Sequence, residues 1–256
     1  MSRASKLRVR FRGGAGATLV GVLEQPADQP RAFALFAPCF TCPKDAKAIV
    51  RVSEGLASAG IAVLRYDVTG SGHSGGDFAR TSFSSQVEDL VAAAEYLRAE
   101  HRPPSLAMGI SLGGAVVLSG ARRIPELEAV ATLNAPADTI HLHELLLRLA
   151  PDVLETGEAE IEVLGRSIRI GRRLVEDLPR HDIEAAARGL GLPLMIFHAP
   201  EDEIVSIKSA QRLLDVALHP KSLVAVDRSD HLLLRNRAAP GVVARILAAW
   251  LEQYLR

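Results

Sequence analysis

The sequence lacks several features that would set its class at once. No uninterrupted apolar run reaches the roughly 18 residues a transmembrane helix needs, so no transmembrane helix is expected. The N-terminal stretch MSRASKLRVRFRGG is basic but has no apolar core of the kind a secretory signal carries. A cytoplasmic location is therefore the default expectation. Excess charge of either sign is also missing. Thirty Lys and Arg against thirty Asp and Glu leave a formal net charge of zero, which gives no general pull toward nucleic acid or an anionic membrane. Cysteine is scarce, with Cys39 and Cys42 in CFTC making up the full set. A structural zinc site would want a second cysteine pair or suitably spaced histidines, so no metal and no cofactor is expected. A C-x-x-C pair after a strand can instead support thiol chemistry, and a redox protein using Cys39 and Cys42 stays open as a reading. Internal repeats and low-complexity linkers are absent as well.

What is present is an ordinary folding composition, 48% apolar and 23% charged over 256 residues. That is enough for one α/β domain with a full core. Short apolar runs alternate with longer helical patterns: AFALFAP, IAVLRYDV, SLAMGI, LEAVATLNAP and PLMIFHAP read as strands. AKAIVRVSEGLASAG, the Ser-capped FSSQVEDLVAAAEYLRAE and GVVARILAAWLEQYLR read as helices. This rhythm predicts a mostly parallel central sheet with helices on both faces, within a single domain over 1–256. Residues 137–191 break the rhythm with HLHELLLRLAPDVL, a hairpin-like AEIEVLGRSIRI turning at LGR, and RRLVEDLPRHDIEAAARGL. This insertion is expected to lie as a cap over the carboxyl edge of the sheet, where open α/β sheets bind ligands.

One serine draws the chemistry. In LAMGISLGGAVVL, Ser111 ends an apolar strand and precedes a helix, inside the pattern G-x-S-x-G. A nucleophile elbow requires this placement. Gly109 and Gly113 leave room for a tight strand-to-helix approach, while Ser111 takes strained backbone angles that push its hydroxyl into the open. The helix starting near Leu112 offers backbone N–H groups to a developing oxyanion. A serine needs a base, and the base needs an orienting acid. In this kind of fold both follow the serine, acid first. PLMIFHAPEDEIVS places Glu201, Asp202 and Glu203 just beyond one strand, and SLVAVDRSDHLLL places His231 just beyond the next. Asp202 is the preferred acid, with Glu201 and Glu203 as alternatives. His198 reads as a structural histidine at a strand end. His141 and His143, two apart on a helix, face different ways and so do not suggest joint metal binding.

GSGHSG at residues 70–75 matches the glycine pattern of a dinucleotide site. A dinucleotide loop passes from strand directly into helix, whereas here about a dozen loop residues follow the strand. Nucleotide binding is not expected.

Together GISLGG, YDVTGSGHSGG, PEDEIV and SDHLLL resemble the α/β-hydrolase superfamily. FAPCFTCPKDAKA, RYDVTGSGHSGGDFARTSFSSQVEDL and HPKSLVAVDRSDHLL resemble, more narrowly, the hydrolase domain of bacterial proteins that often carry a C-terminal OsmC-like domain. In such proteins that domain would begin after a stretch placed like WLEQYLR. The resemblance spans nearly the whole chain. It implies a catalytic triad of Ser111, Asp202 and His231, and an oxyanion hole made by the backbone N–H groups of Leu112 and Phe40, with Thr41 as a substitute for the latter. It also places CFTC in the oxyanion loop, which favours a structural or site-lining role for the cysteines. Pro38 departs from the histidine usual in relatives; lacking an N–H and fixing φ, it suggests a differently shaped loop. The expected function is a serine hydrolase of esterase or acyl-hydrolase type, acting through an acyl-enzyme on a small-molecule acyl ester, with thioester and amide bonds also in reach. The apolar HELLLRL stretch is a candidate wall for the acyl pocket. An uncharged surface and apolar cap helices would suit a homodimer. A non-catalytic binding module on the same fold is the rival reading, beside the thiol one.

Overall fold

A computed structural model describes residues 4–163 and 165–255. The strands run β1 (Ser5–Arg12), β2 (Thr18–Gln25), β3 (Ala32–Ala37), β4 (Ile61–Tyr66), β5 (Leu106–Ile110), β6 (Ala129–Leu133), β7 (Glu158–Val163), β8 (Arg166–Gly171), β9 (Leu194–His198) and β10 (Lys221–Ala225). Eight of them form one sheet in the order β1-β2-β4-β3-β5-β6-β9-β10. The pairs β1/β2 and β2/β4 are antiparallel and the others parallel.

The local sequence explains the layering. Every residue of β3, β4, β5, β6 and β9 is buried, as expected for parallel strands covered on both faces. Along β3, Leu35 joins one core while Ala34 and Phe36 join the other, following the two-residue period of a strand. By contrast β1, SKLRVRFR, sits at the sheet edge and exposes its arginines while burying Val9 and Phe11.

On one face lie α1 (Lys47–Ser58) and, near the C-terminus, a helix at Ala239–Leu251. Helix α1 buries Ala48, Ile49, Val52, Leu56 and Ala57, a single stripe at helical spacing. The opposite face is covered by α2 (Phe83–Glu100) and α3 (Leu112–Gly120). Ser82 caps α2 by accepting from the Ser85 N–H, and the Ser85 hydroxyl accepts in return from the Ser82 N–H. Such a cap is worth about 1 kcal/mol.

Between β6 and β9 the chain makes a long excursion through α4 (Ile140–Leu149), α5 (Val153–Thr156), the antiparallel hairpin β7–β8, α6 (Arg172–Asp177) and α7 (Ile183–Arg188). Helix α7 packs against α3 and against α8 (Lys208–Val216), in the layer that covers the sheet, and α9 is the Ala239–Leu251 helix. The hairpin turn falls at the LGR stretch, of which Leu164 lies outside the described residues. Asp177 ties the excursion down: its carboxylate accepts from the Ser84 N–H at 2.7 Å and the Ser84 hydroxyl at 3.0 Å, at the first turn of α2. Burial pushes that carboxyl up, but these bonds and His181 outweigh it and hold it below its ordinary range. No helix among the described residues is long and apolar enough to cross a membrane.

Candidate active site

Strand order places the site. The chain leaves β3 for β4 on one side, then leaves β4 for β5 on the other side of β3. This reversal opens a crevice at the carboxyl ends of β3 and β5. The segment Pro38–Ala46 leaves β3 there, and Ser111 leaves β5.

Ser111 has φ +54° and ψ −126°, backbone that L-residues rarely adopt. Its N–H is held by the Leu133 carbonyl at 2.8 Å. Although it stands at the N-cap position of α3, its hydroxyl does not cap the helix; it points to His231 instead, with Oγ 2.9 Å from Nε2. The flanking glycines are required by contact. A Cβ at Gly109 would lie 2.1 Å from the Gly113 carbonyl oxygen, and one at Gly113 would lie 2.3 Å from that of Pro38. Pro38 thus takes part in the packing of the α3 start against the loop after β3.

Behind His231, Nδ1 lies 2.7 Å from Asp202 Oδ2. The other oxygen, Oδ1, accepts from the Ile204 and Val205 N–H groups at 2.8 and 2.9 Å. Burial alone pushes the Asp202 carboxyl up, but the His231 bond and charge and the two N–H donors outweigh it, so it stays ionised below its ordinary range. The structure therefore brings Ser111, His231 and Asp202 into one hydrogen-bonded chain. It leaves the alternative acids outside: Glu201 accepts from the Arg228 N–H, and Glu203 is 87% exposed beside Arg235. His198 is fully buried at the end of β9, where it donates from Nε2 to the Val205 carbonyl at 2.8 Å. Burial lowers its pKa, which keeps it neutral 3.7 Å from Asp202.

Leu112 and Phe40 face the same cavity as Ser111 and His231. Their backbone N–H groups donate to no acceptor among the described residues. Cys39 and Cys42 flank Phe40 and are joined as a disulfide, and Cys39 also lines the cavity. Helix α1 opens only at Lys47, so the pair sits in a turn away from a helix start. The loop is anchored further on by Lys44, whose N–H and Nζ reach the two oxygens of buried Asp67 at 2.7 and 3.1 Å. Arg65 adds a bond to the Lys44 carbonyl at 3.0 Å and pairs with Asp45. Burial raises the Asp45 carboxyl, but Lys44 and Arg65 together pull it below its usual value. The GSGHSG loop folds back on the same carboxylate, with the His73 N–H on Asp67 Oδ2 at 2.9 Å, and leads to α2 only after a short 3-10 turn.

The cavity has a volume of about 320 Å³. Its walls are mostly apolar, formed by Leu142, Leu145 and Leu149 of α4, Val163 of β7, Ile204 and Leu232. Asp138, His141 and Glu162 also line it, and neither Asp138 nor Glu162 was marked out by any sequence pattern. His143 turns away to the Val175 carbonyl at 2.9 Å. Among the described residues no three His, Cys, Asp or Glu side chains are grouped to hold a metal ion.

A parallel sheet with a serine on a strained strand-to-helix turn, at a crevice where two more loops converge, defines the architecture of an α/β hydrolase. Comparison with known proteins agrees. A family model described as serine aminopeptidase, S33, matches residues 44–170. The esterase domain of a Rhodothermus marinus protein is 42% identical, with a TM-score of 0.81 and coverage of 98% of this chain and 100% of that one. Est1E from Butyrivibrio proteoclasticus, solved with ferulic acid bound, has the same fold at 19% identity, a TM-score of 0.77 and coverage of 95% and 98%. The mitochondrial palmitoyl-protein thioesterase ABHD10 of Rattus norvegicus is 22% identical over 205 residues, 77% of this chain and 68% of that protein. The chain belongs to the α/β-hydrolase superfamily, with relatives named as esterases and as a thioesterase.

Proposed function

We propose that the protein is a serine hydrolase that cleaves acyl esters through an acyl-enzyme, with thioesters as the related alternative bond. The observation that carries this reading is the chain Ser111 Oγ–His231 Nε2 at 2.9 Å and His231 Nδ1–Asp202 at 2.7 Å, opening into an apolar cavity. In the first step His231 takes the Ser111 proton as the oxygen attacks the carbonyl carbon. Asp202 holds the imidazole tautomer and stabilises the imidazolium that forms, without itself taking the proton. The Leu112 and Phe40 N–H groups receive the oxyanion, each worth about 3 kcal/mol in comparable sites. The tetrahedral intermediate then expels the alcohol, which leaves with the proton from His231. Water, deprotonated by His231, attacks the acyl-enzyme and releases the acid, and the proton returns to Ser111. The wall of Leu142, Leu145 and Leu149 favours an acyl group that is apolar, whether alkyl or aryl. The Cys39–Cys42 disulfide in the loop bearing Phe40 supports a shaping role for the cysteines within this chemistry.

The test is intact-mass analysis after treatment with a fluorophosphonate, on the wild type and on Ser111→Ala and His231→Ala. One adduct on the wild type, missing from both variants, is expected. An unmodified wild type would sink the reading.

A further inference from the structure

The loops that carry His231 and Asp202 come from different strands, and something must hold them in one register. Besides the Asp202 and Glu201 carboxylates, a side chain from the end of a third strand touches both. Asn134 follows the last residue of β6 and is 1% exposed. Its Oδ1 accepts from the Ala199 N–H at 2.8 Å, and the Ala199 carbonyl in turn accepts from the Asp202 N–H at 3.1 Å. Its Nδ2 donates to the His231 carbonyl at 2.7 Å and to that of Asp230 at 3.3 Å. The Asn134 backbone N–H is bound by the Phe197 carbonyl at 2.9 Å, and its neighbour Leu133 holds the Ser111 N–H. Two loops thus meet on the Asn134 side chain, and the residue before it holds the Ser111 turn.

We propose that Asn134 is a positioning residue for the hydrolysis, its carboxamide fixing the histidine loop against the acid loop so that His231 stays aligned between Asp202 and Ser111. This rests on the serine-hydrolase reading above. The chemistry of the position is selective. The side chain must accept on one arm and donate on the other, and the backbone sits at φ +48°, a left-handed conformation that asparagine and glycine tolerate. Aspartate has the shape but would set a carboxylate against two carbonyl oxygens. Leucine or alanine would leave buried polar groups of both loops without partners. Asn134 does not line the cavity, so it acts on alignment and not on substrate contact.

Two variants test this. Asn134→Gly removes the carboxamide while keeping the backbone conformation accessible. Asn134→Asp is nearly isosteric and carries the test if the glycine variant fails to fold. The rate of fluorophosphonate reaction per folded molecule is measured from pH 5 to 9 (about the range where buried carboxyls titrate), beside thermal unfolding and steady-state kinetics on a short acyl ester. A displacement of about 1 Å in a catalytic group costs about 100-fold, so Asn134→Gly should react about 10- to 100-fold more slowly, through kcat with little change in KM. Asn134→Asp should approach the wild type at low pH, where its protonated carboxyl can donate to the His231 carbonyl, and fall away from it as the pH rises. Variants that melt earlier but react at the wild-type rate and with the wild-type pH profile would overturn the proposal. If the wild type itself does not react, the functional reading fails, and the His231 Nδ1 proton resonance decides the positioning claim. Its loss or upfield shift in Asn134→Gly supports the claim, and an unchanged downfield resonance overturns it.

Discussion

Gly113→Ala tests how tightly the Ser111 turn is built against the loop that follows β3. A Cβ at this position would sit 2.3 Å from the Pro38 carbonyl oxygen and 2.4 Å from that of Ala37. Both are backbone atoms at the end of β3, so no rotamer change can relieve the overlap. Restoring ordinary contact requires α3 and the Pro38–Phe40 segment to part by about 1 Å, a displacement that costs about 100-fold when it moves catalytic groups. Overpacking of this kind also costs about 1–3 kcal/mol of stability. Because Leu112 follows the turn and Phe40 follows Pro38, the separation widens the gap between the two proposed oxyanion donors. Hydrolysis of a p-nitrophenyl ester should therefore lose about two orders of magnitude in kcat, accompanied by a lower unfolding midpoint. The acyl-enzyme step should be slowed more than substrate binding. An alanine variant with wild-type kcat and an unchanged midpoint would refute the argument, since it would mean that the helix and the loop do not meet at that contact.

Two further outcomes follow from the same geometry. Asp202 has a folded-state pKa below its ordinary value of 3.8, so the stability it contributes is fully present above that value and is lost as the pH falls through the lower folded-state pKa. Urea midpoints measured in steps down the acid range should show this loss in the wild type, and Asp202→Asn should lack that part of it while losing on the order of 10⁴ in kcat; an identical acid profile in the variant would refute the assignment. Leu145→Ala removes part of the apolar wall, worth about 1 kcal/mol for a half-buried leucine. It should lower kcat/KM for octanoyl esters by roughly fivefold relative to acetyl esters, and equal losses for both chain lengths would place the acyl group elsewhere.

Much of this molecule is legible along the chain because its signals are local. A strand buried on both faces announces itself as an apolar run, as in AFALFA and LAMGI, and the serine turn needs glycines within two residues of Ser111. His231 and the acidic cluster at residues 201–203 are readable because each lies just past such a run. Choosing among Glu201, Asp202 and Glu203 is a weaker inference from sequence, since all three are carboxylates in one turn. Tertiary packing separates them: only Asp202 has His231 on one oxygen and two backbone donors on the other.

The sequence by itself determined the layered α/β architecture, the excursion after β6 and the residue types available at the strand ends. Periodicity and glycine spacing encode these within a few residues. The tertiary structure alone decided which polar groups meet. Asn134 lies 97 residues from His231 and 65 from Ala199, and Lys44 lies 23 from Asp67, so no local pattern records their contacts. It also decided the shape of the cavity, whose walls come from α4, β7 and the loops after β9 and β10. A cavity is the space left when distant segments pack, and that space has no counterpart in any short stretch of chain.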